Sequence, residues 1–344
     1  MPQATSKLGA PSPALGRLQQ NALAGYLLLR LDAIDAPAGD PNASLELEIL
    51  SGEPASIAID ELVAARVVSD AFLLRSYMRY RGLDVGVEAG LYNFNGGMSI
   101  REIAEQLQTA QPFAVTIRVI PGWRAEEVAA ALPESELEFN RADFMQAVQN
   151  PSPEVLTSIG LETPTAVEGF LFPDTYRIEP KATAGQAVAM MVEQFDERVG
   201  SDLLAGFQAQ GLTLLEAVTL ASIIEREAVL VDEQALIASV FLNRLSLGMS
   251  LDADPTVQYA LGQQTEGWWK SPLSLADLEI DSPYNTYVVT GLPPGPIANP
   301  GIEALRAVAF PADSDFLYFR ARCDGSGGHA FAHTFEEHLQ NACP

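Results

Sequence analysis

The segment that most restricts how this chain can fold lies at residues 213–229. Thr213-Leu214-Leu215-Glu216 has the form of a helix-capping box. Behind it, Val218, Leu220, Ala221, Ile223, Ile224 and Ala228 leave the helix apolar nearly all the way round. A helix without a polar face has to be enclosed by the rest of its domain, so this one is expected at the centre of a core. Glu225 breaks the pattern. It follows Ala221 and Ser222 by four and three residues and precedes Ala228 and Val229 by three and four, which puts it on a face of small, apolar neighbours. A carboxylate there loses hydration in its charged form, and its pKa rises above the ordinary value of about 4.3. A raised carboxyl is what a glycosidic general acid requires. The same residues also fit a plainer reading, in which Glu225, Arg226 and Glu227 are the polar last turn of a core helix.

The elements around that helix predict an α+β chain of 344 residues, long enough for two or three domains. Leu45 to Ile49 alternates apolar and acidic residues as a half-buried strand does, and Val115 to Val119 alternates likewise. Helical spacing runs from Ser56 to Val68 and from Asp70 to Arg81, where Gly82 ends it. Ser99-Ile100-Arg101-Glu102 is a second capping box, opening a helix to about Leu107. Helices are further expected from Arg124 to Leu132, from Asn140, from Thr183 to Val199 before Gly200, from Asp232 to Gly248 and from Asn299-Pro300. Phe316–Arg322 and His329–Phe335 read as strands around a Gly-rich turn.

Charge and cysteine content exclude several function classes. With 20 Lys+Arg against 45 Asp+Glu, the net charge of -25 repels phosphate and anionic lipid, and nucleic acid is not an expected partner. Two cysteines alone form no zinc tetrad and no iron–sulfur site. Cys323 and Cys343 are open between a disulfide and two free thiols. Residues 1–31 carry Lys7, Arg17 and Arg30 and no acid, around the apolar run Ala22–Leu29. A membrane-spanning helix needs about 20 such residues, so this run is too short to span. It fits the h-region of a secretory signal, with Ala36-Pro37-Ala38 as a small-residue cleavage site, and equally a terminus packed on the protein surface.

Other candidate chemistry is spread over four segments. Asp254, ahead of Pro255, is open between a helix cap for Thr256 and Val257 and the second carboxylate of a glycosidase pair; Glu168 is a rival for the second role. The stretch from Ser282 to Pro300 is dense in Pro and Gly, which makes a stiff loop that loses little entropy on binding. Tyr faces beside it suit sugar rings, and Asn and Thr suit hydroxyl and N-acetyl groups, while a rigid structural crossover fits the same residues. His329, His333 and His338 have no evident fourth ligand, and a metal is not expected.

Read in order, EGFLFPDTY (Glu168–Tyr176), LASIIERE (Leu220–Glu227), VFLNRL (Val240–Leu245), DPTVQY (Asp254–Tyr259), YNTY (Tyr284–Tyr287), GLPPG (Gly291–Gly295) and the Gly327-Gly328-His329 motif with Phe331 resemble the endolytic murein transglycosylase family, the YceG-like lytic enzymes. The resemblance runs from about Leu45 to Gln340. Ala89–Tyr92, Gly97–Ser99 and Pro121–Trp123 resemble that family's upstream, LysM-like part. It implies a division into an N-terminal segment (1–44), a LysM-like module (45–112) and a helix-rich catalytic domain (113–341). It makes Glu225 the catalytic residue, with Glu168, Phe172, Ser222, Asp254, Gln258, Tyr284, Asn285, Thr286 and Tyr287 around the substrate, and no cofactor. The implied reaction cleaves the MurNAc-β-1,4-GlcNAc bond within peptidoglycan strands, leaves a 1,6-anhydroMurNAc end and terminates strand elongation. Cell-wall synthases are then expected partners, and the working domain is expected outside the cytoplasm. Family members usually carry an N-terminal membrane helix, and here only Ala22–Leu29 stands in its place. A lysozyme-type hydrolase and a non-catalytic glycan-binding scaffold are the alternatives.

Overall fold

A computed structural model describes residues 2–50, 53–110, 113–161, 166–265 and 267–343. They form two compact units, residues 1–115 and 116–344. The secondary structure is helix-rich with short two-stranded sheets, an α+β arrangement.

In the first unit, the strand Ser44–Ile49 pairs antiparallel with Gly90–Asn95, Leu47 opposite Tyr92. The helices Ala55–Ala64 and Ala71–Arg81 lie between them in sequence. The predicted first helix runs four residues short of Val68, because Arg66 takes a left-handed conformation (φ 63°) that ends it. Asp70 caps the second, accepting the Leu73 N–H at 2.9 Å. Ser99 and Glu102 form the predicted box on Ile100–Gln106. The apolar run Ala22–Leu29 belongs to the helix Arg17–Leu29, whose Ala24 and Leu27 are buried in a core with Ile34, Leu62, Tyr77 and Phe94. Here that run is a packed face. Among the described residues, no single helix is long and apolar enough to cross a membrane.

The second unit is organised around the helix Leu214–Glu227. Every residue from Ala217 to Ile224 is buried, and the helices Ala184–Ala209, Gln234–Ser246 and Ile302–Ala309 pack on it. Thr213 and Glu216 close the predicted box: Thr213 Oγ1 accepts the Glu216 N–H at 3.3 Å, and Glu216 Oε2 accepts the Thr213 N–H at 2.8 Å. The long helix breaks at Gly200 as expected and then resumes to Ala209. Near the C-terminus the strands are shorter than predicted, Tyr318–Ala321 and His329–Ala332. Thr334 caps an unforeseen helix, Phe335–Gln340. Cys323 and Cys343 are disulfide-bonded, tying the end of that helix to the hairpin.

Candidate active site

The C-terminal end of the helix Leu214–Glu227 projects two carboxyls in different directions, because residues two apart on a helix sit about 200° round its axis. Glu225 faces a niche made by Pro121, Gly122 and Gly301. Its Oε2 accepts the Gly301 N–H at 3.1 Å. A Cβ on Gly301 would lie 3.3 Å from Pro121 and 3.4 Å from that same oxygen, so the glycine lets the backbone reach the carboxyl. Gly122, at φ +81°, stands on the other side, where a Cβ would meet Arg226 at 3.2 Å and Glu225 at 3.6 Å. Burial raises the Glu225 pKa, while the Gly301 N–H and Arg226 oppose the shift. A carboxyl so placed is held above the usual carboxylate range by burial and has a donor ready once it ionises.

Three polar residues hold this niche together from inside. Ser222 is fully buried; its Oγ donates to the Thr219 carbonyl at 2.7 Å and accepts the Ile297 N–H at 3.0 Å, pinning the Pro-rich loop to the helix. Asn299 accepts the N–H groups of Gly169 and Leu171 and donates to the Trp123 carbonyl and to Glu168. Glu168 is buried, and both its oxygens accept the Ala125 N–H at 3.1 Å. Burial is the main cause that pushes its pKa up to about 8. These residues position the loops around Glu225, and their polar atoms are taken up within the protein.

The same holds for most of the expected sugar-contacting set. Asn285 is fully buried, donating to the Leu278 and Ile280 carbonyls; Thr286 is buried against Thr256, 2.9 Å between hydroxyls. Phe172 is buried as well. Beside the hydroxyl and amide recognition expected of Asn285 and Thr286 stand these contacts within the protein: Asn285 fixes the turn at Leu278 and Ile280, and Thr286 holds the loop against the helix Asp254–Leu261. Gln258 is half-buried and donates to the Lys270 carbonyl at 2.8 Å. Tyr284 packs against Tyr259, ring centres 4.7 Å apart. Asp254 is not a cap: Ala253 occupies that position, and the Asp254 carboxylate instead accepts the Tyr287 hydroxyl at 2.6 Å. Asp254 and Tyr287 are exposed.

Beside Glu225 lies a stack of cations and rings that sequence reading missed. Arg226 covers the Trp269 ring, 3.8 Å to its centre, and Trp269 donates its indole N–H to Glu127 at 3.0 Å. Arg124, nearly buried, lies between Tyr259 (4.1 Å) and Trp268 (4.6 Å). The adjacent Trp268-Trp269 was the available signal, since two indoles next to each other with a basic partner elsewhere are a ready stacking surface. On the other face of the helix end, Glu227, Asp252, Asp254, Tyr287, Tyr318 and Phe335 line a cleft of about 520 Å³. Among the described residues, no group of His, Cys, Asp and Glu is arranged to hold a metal ion.

Comparisons with known proteins show the family. The YceG-like family model matches residues 47–343. A Bacillus subtilis protein named endolytic murein transglycosylase is 31% identical over 92% of this chain and 89% of its own length. A Streptococcus pneumoniae protein of the same name is 28% identical over 81% of this chain and 54% of its own length. The crystal structure of a yceG-like protein from Listeria monocytogenes superposes with a TM-score of 0.59 at 29% identity, over 87% of this chain and 98% of that one. A helix-rich α+β domain with two desolvated carboxyls, Glu225 and Glu227, at the end of its central helix is the class these features define. The chain belongs to the YceG-like family.

Proposed function

We propose that this protein is an endolytic murein transglycosylase in which Glu225 acts first as acid and then as base. The observation that carries the reading is the Glu225 carboxyl, desolvated at the end of the core helix, with the Gly301 N–H on Oε2. Protonated Glu225 gives its proton to the glycosidic oxygen as the bond from C1 of MurNAc breaks. The resulting carboxylate, stabilised by the Gly301 N–H, takes the proton of the same sugar's C6 hydroxyl as O6 bonds to C1. Glu225 ends protonated, no water is consumed, and a 1,6-anhydro ring forms. Because the nucleophile belongs to the substrate, a high effective molarity takes the place of an enzyme nucleophile. Glu168, Ser222 and Asn299 keep the surrounding loops in register.

The relatives' names, which specify murein, support peptidoglycan as substrate. The Cys323–Cys343 disulfide supports work outside the cytoplasm, where such bonds persist. The first unit, whose strand–helix–helix–strand order suits the LysM-like reading, is assigned to glycan binding. A hydrolase is the second reading, favoured by the further carboxyls Glu227 and Asp254 in the neighbouring cleft. Digestion of purified peptidoglycan followed by mass spectrometry decides between them. Products one water lighter than those of lysozyme support the transglycosylase, and reducing MurNAc ends support the hydrolase.

A further inference from the structure

Of the three acids on the central helix, Glu216 caps its start and Glu225 serves the mechanism, which leaves Glu227 without a task. Its side chain enters the 520 Å³ cleft from the face of the helix opposite Glu225, and among the described residues its carboxyl has no hydrogen-bond partner. Asp254 stands in the same cleft with one oxygen already taken by the Tyr287 hydroxyl at 2.6 Å. The rings of Tyr287, Tyr318 and Phe335 complete the walls, and the volume is that of a small-molecule site. Apolar faces with a donor and an acceptor between them match the alternating apolar faces and hydroxyls of a pyranose. We infer that this cleft is a saccharide subsite flanking the scissile bond, and that Glu227 is a positioning residue there, donating a hydrogen bond to the sugar while Asp254 accepts one.

This deepens the glycan-cleaving reading and rests on it. Donation requires a proton on Glu227. Burial and the neighbouring Asp254 push its pKa up to about 8. The cleft's other charged and titratable groups come from each wall: Arg244 from the helix Gln234–Ser246, Asp252 and Tyr287 from loops, and Tyr318, Arg320, His329 and His338 from the C-terminal hairpin and helix. Burial, Arg320 and Arg244 hold the His338 pKa below its usual 6.5, so His338 is already neutral at pH 8. Burial and Asp254 raise Tyr287 above 10.0.

The test combines kinetics with binding. In the full-length protein, Glu227→Ala is expected to raise KM about tenfold with a smaller change in kcat, the loss of one hydrogen bond to a charged or polar partner. Glu227→Gln keeps an N–H donor and is expected to recover most of that loss. The wild-type KM is expected to rise above pH 8, and in Glu227→Gln to stay level. An unchanged KM in Glu227→Ala, or a KM rise that persists in Glu227→Gln, overturns the inference. Calorimetric titration of a peptide-free GlcNAc–MurNAc tetrasaccharide into Glu225→Gln, with and without Glu227→Ala, separates the two readings. Weaker binding in the double variant supports the subsite even where wild type makes no anhydro product. Equal binding, or binding only of peptide-bearing fragments, overturns it even where anhydro product forms.

Discussion

The Glu225 carboxyl and the Gly301 backbone lie 3.1 Å apart, joined by an N–H to Oε2 hydrogen bond, and a Cβ at 301 would crowd Pro121 at 3.3 Å and touch that oxygen at 3.4 Å. Gly301 has an ordinary φ of -76°, so alanine brings no backbone strain. The cost of Gly301→Ala is therefore local to the acid. We expect kcat to fall about tenfold to a hundredfold through misplacement of Glu225, with the melting temperature nearly unchanged. Steady-state kinetics beside a thermal melt checks this; an unaltered kcat removes the contact from the mechanism.

Replacing the acid itself separates catalysis from stability. Glu225→Gln has no proton to give, and activity is expected to drop about 10²–10⁴-fold. Its folded-state pKa is raised by burial, so ionisation opposes folding as pH rises. The amide removes that penalty. The variant's melting temperature is expected to equal or exceed that of wild type at pH 7–8, measured by calorimetry.

The core of the site was legible because it is written in local pattern. An apolar helix with an acid breaking into its apolar face has few explanations, and Thr213 with Glu216 fixes where it starts. The niche was not legible, because Gly122, Ser222, Gly301 and Asn299 meet only through long-range folding. The Asn285 and Thr286 side chains show the limit from the other side: polar residues in a stiff loop suit a sugar as well as they suit a buried turn. Only burial, unavailable to a linear reading, tells the two apart. Asp254 stays open between cap and second carboxylate in the sequence, because Pro255 marks a helix start without fixing which residue caps it; Ala253 takes the cap position, and the acid is free to bind Tyr287. In the first unit, the helix at the N-terminus carries its apolar residues in a short run, and a run alone does not say whether it meets lipid, a signal peptidase or the core that holds Leu27.

Glu168 predicts how stability depends on pH. Its pKa rises from about 4.5 to about 8 on folding, chiefly through burial. The folded state binds that proton more tightly than the unfolded one. Its contribution is fully present below pH 4.5 and is lost as pH rises through 8. Glu168→Gln mimics the protonated acid at every pH, and its carbonyl still accepts the Ala125 and Asn299 donors. The difference in melting temperature between variant and wild type is expected to widen in favour of Glu168→Gln from pH 6 to pH 9. A constant difference would show that Glu168 is already ionised in the folded protein at pH 6 and that its pKa is not raised on folding.

The disulfide makes the cleft wall sensitive to redox state. Cys323 and Cys343 are 20 residues apart in sequence and enclose the strand His329–Ala332 and the helix Phe335–Gln340. Phe335 and His338 of that segment line the cleft beside Glu227. Opening a loop of this length removes about 3 kcal/mol of chain-entropy stabilisation in the simplest model. The helix Phe335–Gln340 has no fully buried residue, and beyond the disulfide it is held by the Tyr318 ring and by Arg320, which donates to the His338 carbonyl. Reduction, or Cys343→Ser, is thus expected to loosen the wall before the core, because the helix that carries Glu225 is buried from Ala217 to Ile224 independently of the clasp. Hydrogen exchange is expected to rise first across residues 329–340. Kinetics on the same samples are expected to show KM increasing with kcat less affected. A loss of kcat with KM unchanged would place the clasp's influence on Glu225 instead of on the cleft.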